Sequence, residues 1–223
     1  MNENFRVQFK GKNCLVTGGA GFIGSNLSRY LNKIGARVTI IDNFSTGRKD
    51  NIFGFNDLGI NVVNADVTDQ NNTQKFYENI DFVFHQAAIA SVPLSIEDPV
   101  LTQHHNVDGT ISALENSYRC GVEKFIFASS SAVYGDTSSV PTKESIEPMP
   151  QSPYAEHKLA SEEHCHNYYK SNRLRTTSLR YFNVFGPYQD PSSEYSAVIP
   201  KFINLALNNK DLIVYGDGTS TRD

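Results

Sequence analysis

The sequence has few cysteines, no tryptophan and no long hydrophobic run. Its three cysteines, Cys14, Cys120 and Cys165, are too few and too far apart for a disulfide framework, so we expect reduced thiols in a cytoplasmic protein. No apolar stretch approaches the roughly 20 residues that a membrane-spanning helix needs. The N-terminal segment MNENFRVQFKGKN lacks the apolar core of a signal peptide. We therefore expect neither a disulfide-stapled scaffold nor an integral membrane protein.

Neither sign of charge is in large excess, and metal ligands are sparse. The chain has 20 Lys and Arg residues against 24 Asp and Glu residues, for a net charge of −4, which is not typical of a general nucleic-acid binder. His164, Cys165 and His166 are adjacent in the sequence. Neighbouring residues of a helix point in different directions and no second ligand pair follows, so we expect no metal site.

Short apolar runs alternate along the chain with longer helical stretches, a pattern that predicts an α/β protein. We predict a Rossmann-type, doubly wound parallel sheet with right-handed crossovers and helices on both faces. The predicted strands are Asn13–Thr17, Arg37–Asp42, Ile60–Asp66, Phe82–Gln86, Lys124–Ser129 and Thr176–Tyr181. The predicted helices lie near Phe22–Ile34, Asp69–Asn79, Pro99–Cys120 and Pro153–Asn172.

The pattern changes after Gly186, where a loop rich in proline and serine begins. We predict a helix near Ala197–Asn208 and one strand over Asp211–Tyr215. We accordingly divide the chain into a first domain, residues 1–182, and part of a second, residues 183–223. The sequence ends just after a turn-rich Gly-Asp-Gly stretch, where a compact domain is not expected to end, so we expect a piece of a longer protein.

The first predicted strand runs directly into a glycine-rich loop, TGGAGFIG. Gly18 permits a tight turn, Gly21 lets the backbone approach a pyrophosphate, and Gly24 lets the following helix pack against the strand. The free N–H groups of the first helical turn then face the phosphates. The alternative is an ordinary glycine turn with a capping aspartate. The position of the loop between a strand and a helix favours a dinucleotide site.

An acidic residue follows the second predicted strand, as a dinucleotide site requires. Asp42 is placed to accept hydrogen bonds from the adenosine ribose, and its charge would repel a 2′-phosphate. This favours NAD over NADP, although the nearby Arg48 points the other way. Asp66 closes the third predicted strand and is placed to meet the adenine.

A tyrosine and a lysine four residues apart begin a later helix. Tyr154 and Lys158 follow Ser152-Pro153, a typical helix start, and share one helix face. The ordinary pKa of a phenol is about 10. A nearby ammonium and a positive nicotinamide ring would favour the phenolate and so make a base. An ordinary surface pair is the alternative.

The fifth predicted strand ends in three serines, at the sheet edge where ligands bind in parallel sheets. A serine hydroxyl both donates and accepts, so it can pass a proton or hold an oxyanion. The alternative is a polar turn. Together with the tyrosine and the lysine, one of Ser129, Ser130 and Ser131 completes a candidate catalytic set.

These segments, in this order, resemble the extended short-chain dehydrogenase/reductases, specifically the NAD-dependent epimerase/dehydratase family. The resemblance spans the whole chain and is carried by TGGAGFIG, IIDNFSTG, ADV, HQAAIASVPLS, HHNVDGT, SSSAVYG, YAEHK, LRYFNVFGP and YGDGTSTRD. It is strongest toward UDP-glucose and UDP-N-acetylglucosamine 4-epimerases of bacterial polysaccharide pathways. SVPLSIEDP and YSAVIP point to the N-acetylated sugar.

The resemblance implies a role for each matching residue. Ser130, Tyr154 and Lys158 would be catalytic, with Lys158 also holding the nicotinamide ribose. NAD would be bound by Tyr154 and Lys158 and by Gly18, Gly21, Phe22, Ile23, Gly24, Asp42, Asn43, Asp66, Val67, Gln86, Ala87, Ala88, Asn106, Ser129 and Phe182. A UDP-sugar would be bound by Ser91, Ser130, Ser131, Asn183, Val198, Tyr215 and Arg222. Asn183 and Arg222 would meet its diphosphate.

The resemblance also separates the possible reactions. The related dehydratases carry Thr-Asp-Glu where this chain has Ser130-Ser131-Ala132, and elimination of water needs that extra acid and base. Epimerisation at carbon four needs neither, so we expect a UDP-hexose 4-epimerase that pairs two long helices into a homodimer. The alternatives are another NAD-dependent sugar-nucleotide dehydratase or reductase, and a non-catalytic NAD-binding protein.

Overall fold

One six-stranded, all-parallel sheet organises the chain, as predicted. The computed structural model describes residues 8–137, 140–190, 198–214 and 216–219. The strands are paired in the order β3-β2-β1-β4-β5-β6. Their bounds are β1 Asn13–Thr17, β2 Arg37–Asp42, β3 Asn61–Asn64, β4 Phe82–His85, β5 Lys124–Ser130 and β6 Thr176–Tyr181. The order reverses beside β1, so the carboxyl ends of β1 and β4 flank the crevice in which such sheets bind ligands.

Helices connect the strands. Their bounds are α1 Phe22–Lys33, α2 Gln70–Thr73, α3 Val92–Glu97, α4 Pro99–Gln103, α5 Gly109–Arg119, α6 Pro153–Lys170 and α7 Val198–Leu207. A π-helical turn over His104–Asp108 joins α4 to α5, and 3₁₀ turns cover Lys49–Ile52, Gln74–Phe76 and Ser131–Tyr134. Within the described residues, none of these helices combines the length and the apolar character that a bilayer crossing requires.

Two predicted helices are irregular in the structure. The helix expected over Asp69–Asn79 is reduced to α2 and a 3₁₀ turn over Gln74–Phe76. At the junction, the Thr73 hydroxyl donates to the carbonyls of Asp69 and Gln70. The helix expected over Pro99–Cys120 is interrupted by the π-helical turn. The short α3 was not predicted, although Ser91 caps it by accepting from the Leu94 N–H at 3.0 Å.

The strand predicted over Asp211–Tyr215 is not formed. Residues 211–214 are exposed and carry no regular structure, and Tyr215 lies outside the described residues. A β-strand needs a neighbouring strand to satisfy its backbone groups, and residues 211–214 pair with none of the strands β1 to β6. The run of apolar residues at 212–214 alone therefore misidentified this segment.

The core is divided between the two faces of the sheet. Alternate residues of β1 point to opposite faces, so Cys14 and Val16 pack with Leu31 of α1 and with Ile34, which follows it, while Leu15 packs on the other side. The second cluster joins central strand residues to α5 and α6 through Ala113, Leu114 and Cys165. Helices therefore cover both faces, which leaves the carboxyl edge of the sheet to form a site.

Tyr77 allows a test of the apolar cluster that joins the strands to α5 and α6. Its ring is fully buried, and its hydroxyl has no hydrogen-bond partner among the described residues. An unsatisfied buried hydroxyl is destabilising, so Tyr77→Phe should raise the free energy of unfolding by about 1 kcal/mol. The matched control is Tyr168→Phe, which removes a hydroxyl that donates to Glu115 at 2.6 Å. This change should lower the free energy of unfolding. Urea denaturation measures both, and a loss of stability in Tyr77→Phe would contradict the description of this core.

Candidate active site and nucleotide groove

An open groove of about 550 Å³ runs along the carboxyl edge of the sheet. Many residues predicted to bind NAD line it, namely Gly18, Gly21, Asp42, Asn43, Asp66, Val67, Gln86, Ala87 and Ala88. Phe22, Ile23 and Gly24 form the first turn of α1 beside the groove. The structure thus brings together residues that are up to 70 positions apart in the sequence.

The glycine loop is packed so tightly that two of its positions exclude any side chain. A Cβ at Gly18, whose φ is +65°, would lie 2.7 Å from the Ala87 nitrogen. A Cβ at Gly24 would lie 2.2 Å from the Gly18 carbonyl oxygen, so α1 could not approach β1. No side chain caps the N-terminus of α1 after Gly21. Its first N–H groups are thus available to an anion such as a pyrophosphate.

Asp42 braces this loop from the end of β2. Its carboxylate accepts hydrogen bonds from the backbone N–H groups of Ala20 at 2.9 Å and Phe44 at 2.8 Å. Burial raises the pKa of Asp42, and these two hydrogen bonds oppose the rise. A Cβ at Gly47 would lie 2.6 Å from the same carboxylate. Because a carboxylate accepts about four hydrogen bonds, Asp42 can still receive ribose hydroxyls in the groove.

Asp66 supplies a second carboxylate at the groove, two residues beyond β3. Burial raises the pKa of Asp66, but hydrogen bonds from Thr68 and Asn43 outweigh burial and hold the pKa below its ordinary value. The Asn43 amide donates to Asp66 at 2.8 Å, so the loops after β2 and β3 are joined. His105, which also lines the groove, adds a smaller lowering effect.

A buried chain of hydrogen bonds positions the segment after β4. The fully buried ring of His85 lies 2.8 Å from the Thr17 hydroxyl and 3.1 Å from the Thr110 hydroxyl. Thr110 in turn donates to the Asn106 carbonyl. The Asn106 side chain accepts from the Ile89 N–H at 2.7 Å and donates to its carbonyl. Asn106, predicted to bind the cofactor, therefore holds the backbone of the groove wall.

The side chain of Gln86 indicates whether the groove fits a bound nucleotide. Its amide oxygen is buried and has no partner among the described residues, although the residue lines the groove. A buried acceptor without a donor is unfavourable, so this position fits a ligand that carries donors. Together with the uncapped α1 N-terminus and the Asp42 carboxylate, it makes the groove fit a dinucleotide with a diol and a pyrophosphate.

The candidate catalytic residues lie beside one another at the neighbouring strand end. Tyr154 and Lys158 sit one turn apart on α6, and the Lys158 ammonium lies 5.9 Å from the centre of the Tyr154 ring. The Ser130 side chain is hydrogen-bonded to the Tyr154 phenol. The Lys158 ammonium also donates to the Ala128 carbonyl at 2.8 Å, which ties α6 to β5.

Without a bound cofactor, burial has a larger effect on the pKa values of Tyr154 and Lys158 than these two residues have on each other. Burial raises the pKa of Tyr154, and the hydrogen bond from Ser130 lowers it only in part. Burial also lowers the pKa of Lys158 to about 8. The expectation that a neighbouring ammonium depresses the phenol pKa is therefore not met by these residues alone. A further positive charge, such as an oxidised nicotinamide, is required to favour the phenolate.

The three serines at the carboxyl end of β5 have different partners. Ser129 is buried and its hydroxyl donates to Glu162, which forms an ion pair with Arg180 at 2.8 Å. The Ser129 hydroxyl is thus committed to this ion pair. Ser130 contacts the phenol, and Ser131 is a half-buried residue that begins the 3₁₀ turn. The geometry favours Ser130 as the reactive serine.

Among the described residues, those predicted to bind the sugar nucleotide are not gathered into one cavity. The Ser91 hydroxyl caps α3, Asn183 is exposed, and Val198 is 57% exposed at the start of α7. Phe182, predicted to pack near the nicotinamide, stacks on Tyr134 with ring centres 6.3 Å apart. Tyr215 and Arg222 lie outside the described residues.

Several groove residues were missed by the sequence analysis. They are Ile41, Ser45, Thr46, Ala65, Ile89 and His105. Most of them adjoin predicted residues at strand ends, so their position was accessible from the strand boundaries. His105 was not, because it enters the groove from the π-helical turn that the helical pattern did not reveal. Among the described residues, no group of three or more His, Cys, Asp or Glu side chains is placed to hold a metal ion.

Comparison with known proteins decides the family. The profile of the NAD dependent epimerase/dehydratase family matches residues 14–223. This chain belongs to that family. A member of the NAD-dependent epimerase/dehydratase family is expected to hold NAD along the groove described above, which agrees with the geometry of the glycine loop.

Individual relatives in the family include epimerases and a decarboxylase. A Methanocaldococcus jannaschii protein, provisionally named a UDP-glucose 4-epimerase, is 41% identical over 211 residues, covering 94% of this chain and 68% of its own length. A Bacillus cytotoxicus UDP-N-acetyl-α-D-glucosaminuronate decarboxylase is 38% identical over 220 residues, covering 95% and 66%. The structure of a UDP-N-acetylglucosamine 4-epimerase from Methanobrevibacter ruminantium M1, in complex with UDP-N-acetylmuramic acid, superposes with a TM-score of 0.88. That protein is 42% identical, with 94% of this chain and 67% of the other covered. This chain spans about two thirds of the length of these relatives.

The buried Lys158 predicts a specific pH dependence of stability. Its pKa is about 8 in the folded chain and 10.5 ordinarily, so between these values the unfolded chain holds a proton that the folded chain has lost. The Lys158 contribution to the free energy of unfolding should therefore rise with pH across this window, and Lys158→Met should lack that rise. Urea denaturation at several pH values, compared between the two proteins, measures it.

The difference between the two proteins isolates Lys158 from other buried groups. Burial raises the thiol pKa of Cys14 to about 12, which lowers stability as pH rises above about 9 in both proteins alike. The matched control is Lys12→Met, because Lys12 is paired with Glu123 and Asp81 and its pKa is raised instead. A rise as steep in Lys158→Met as in the parent chain would refute the assignment.

Proposed function

We propose that this protein is an NAD-dependent 4-epimerase of a UDP-hexose, acting on UDP-glucose and UDP-galactose or on their N-acetylated forms. One observation carries the proposal: Tyr154, Ser130 and Lys158 lie together at the strand end beside the nucleotide groove. A base, a proton donor and a cation at the edge of a cofactor site are the groups that reversible oxidation of a sugar hydroxyl needs. The named epimerase relatives support the same reaction.

The cofactor would be held by residues with distinct tasks. Asp42 would receive the adenosine ribose, Asp66 the adenine, and the N-terminus of α1 the pyrophosphate. When bound, NAD supplies the acceptor and the donor for the hydride of carbon four. Gln86 and Lys158 would bind the nicotinamide end, because both lie toward β5.

Proton transfer would fall to the residues around the phenol. Tyr154, as phenolate, would take the proton of the 4-hydroxyl, and Ser130 would donate a hydrogen bond to the same reaction centre. Lys158 would stabilise the negative charge while its bond to Ala128 fixes its position. The resulting 4-keto sugar would turn over and accept the hydride on its other face, with its diphosphate held by Asn183 and Arg222. Anchoring the remote diphosphate keeps the intermediate from escaping.

Two alternatives are weaker. A 4,6-dehydratase or a decarboxylase on this fold needs an additional acid or base beside the sugar, whereas the turn after β5 carries Ser131 and Ala132 at those positions. A non-catalytic NAD-binding protein would not need a buried lysine against a buried tyrosine, an arrangement that is expensive to keep.

The wider setting of the protein follows as part of the same proposal. We infer a cytoplasmic enzyme of polysaccharide biosynthesis that does not act on nucleic acid, with a nucleotide-binding domain over 1–182 and a substrate-binding part over 183–223. We also infer a homodimer formed through the helices α4 to α6. Val100, which is 77% exposed, and Tyr118 leave apolar surface on these helices. Two-fold dimers are the commonest assemblies.

The tyrosine supplies the test of this proposal. The protein should interconvert the 4-epimers of a UDP-hexose without added NAD. Tyr154→Phe should retain UDP-sugar binding while turnover falls at least about 10²-fold, the lower end of the usual contribution of a general base. Ser130→Ala should shift the pH profile of turnover upward, because the hydrogen bond that lowers the phenol pKa is lost. Product analysis and calorimetry measure these effects.

The matched control for Tyr154→Phe is Tyr169→Phe, a change of the same size at an exposed position near the end of the same helix. This control should turn over at the parent rate. Near-normal turnover by Tyr154→Phe on every accepted sugar nucleotide would overturn the mechanism. Release of one reduced cofactor per sugar would identify a dehydrogenase instead.

A further inference from the structure

The segment that follows β6 passes back over the N-terminal half of α1. We call residues Gly186–Asp190 the strap. The Asn26 amide donates to the Pro187 carbonyl at 2.8 Å, and the Arg29 guanidinium lies 4.8 Å from the centre of the Tyr188 ring. The strap therefore connects the carboxyl end of β6 with the helix whose N-terminus faces the groove.

The strap ends in an ion pair with the loop after β2. Asp190 accepts a hydrogen bond from the Arg48 guanidinium at 2.6 Å. The Arg48 backbone N–H donates to the Ala20 carbonyl at 3.0 Å, which fixes the start of this arginine against the glycine loop. Ser45 and Thr46, just before it, line the groove. Arg48 thus stands beside the adenosine end of the nucleotide site.

A free arginine at this place would have a specific chemical consequence. A planar guanidinium binds phosphate through paired, charge-assisted hydrogen bonds, and an arginine near the adenosine ribose accommodates the 2′-phosphate of NADP. Asp42 opposes that phosphate directly, from a carboxylate fixed by the N–H groups of Ala20 and Phe44. A carboxylate that pairs with Arg48 would act on the arginine instead.

We propose that Asp190 makes the site selective for NAD by occupying the Arg48 guanidinium. The strap carries this carboxylate across α1, so a residue about 170 positions from the glycine loop would determine which dinucleotide is accepted. The inference rests on the proposed function only in that the groove holds a nicotinamide dinucleotide. It concerns cofactor choice and does not involve the sugar or its chemistry.

The ion pair has little importance for stability, which makes a specificity role testable. The Arg48 and Asp190 side chains are 51% and 34% exposed, and pairs as exposed as this contribute little to folding. Arg48 also lies 3.7 Å from Asp50, whose side chain is 87% exposed. Asp50 offers a matched control, because it neighbours the same guanidinium without belonging to the strap.

Calorimetric binding of NAD and NADP to the purified protein tests the proposal. Asp190→Asn should tighten NADP binding about tenfold, the usual scale for a charge-assisted hydrogen bond to phosphate, and leave NAD binding nearly unchanged. Asp50→Asn should change the ratio of the two affinities much less. The double variant Arg48→Met with Asp190→Asn should lose the gain, because the phosphate then has no guanidinium to bind.

Each outcome has a separate meaning. A gain for NADP that persists in the double variant would overturn the proposal, because it would come from removing the Asp190 charge and not from releasing Arg48. An unchanged NADP to NAD ratio in Asp190→Asn would also overturn it and leave the proposed function intact. A parent protein that binds neither nucleotide would instead refute the cofactor site on which both rest. Thermal unfolding of each variant confirms that it is folded.

Discussion

The hydrogen bond from the Lys158 ammonium to the Ala128 carbonyl is the contact on which the reactive end of the molecule depends. It joins α6 to β5 at 2.8 Å, and Tyr154 lies one helical turn before it. If α6 moved along the sheet, the phenol would leave Ser130. The ion pair of Glu162 with Arg180, one turn further along α6, supports the same junction from the β6 side. The helix is thus fixed on two strands by polar contacts within a largely apolar interface.

This arrangement carries an electrostatic cost that points to its use. Burial disfavours the charged form of both Lys158 and Tyr154, and within the described part of the chain no charge lowers the phenol pKa below its ordinary value. Tyr154 therefore needs a cation bound beside it before it can act as a phenolate base. The nucleotide groove, which begins at the neighbouring strand end, is where such a cation would lie. Cofactor binding and activation of the base would then be the same event.

The sequence predicted the frame of the molecule well where patterns were local. β1, β2 and β6 have the predicted bounds, and the glycine loop, Asp42 and Asp66 meet at the groove because parallel strand ends share one edge. Contacts between distant segments were not predictable from spacing. The pairing of Ser129 with Glu162, which distinguishes the three serines, depends on how α6 packs against β5. The Arg48–Asp190 pair depends on the path of the strap. The segment 211–214, which we expected to form a strand, pairs with no strand of the described sheet.

The central claim is that one bound cofactor takes and returns the same hydride within a single turnover at this sheet edge. It is tested most directly with a UDP-hexose that carries deuterium at carbon four. This substrate is mixed with the same UDP-hexose that carries carbon-13 but no deuterium. The account predicts that mass spectrometry finds the deuterium retained at carbon four of the epimer, with none transferred to carbon-13 molecules. Loss of deuterium to water, or its appearance on the carbon-13 molecules, would contradict it.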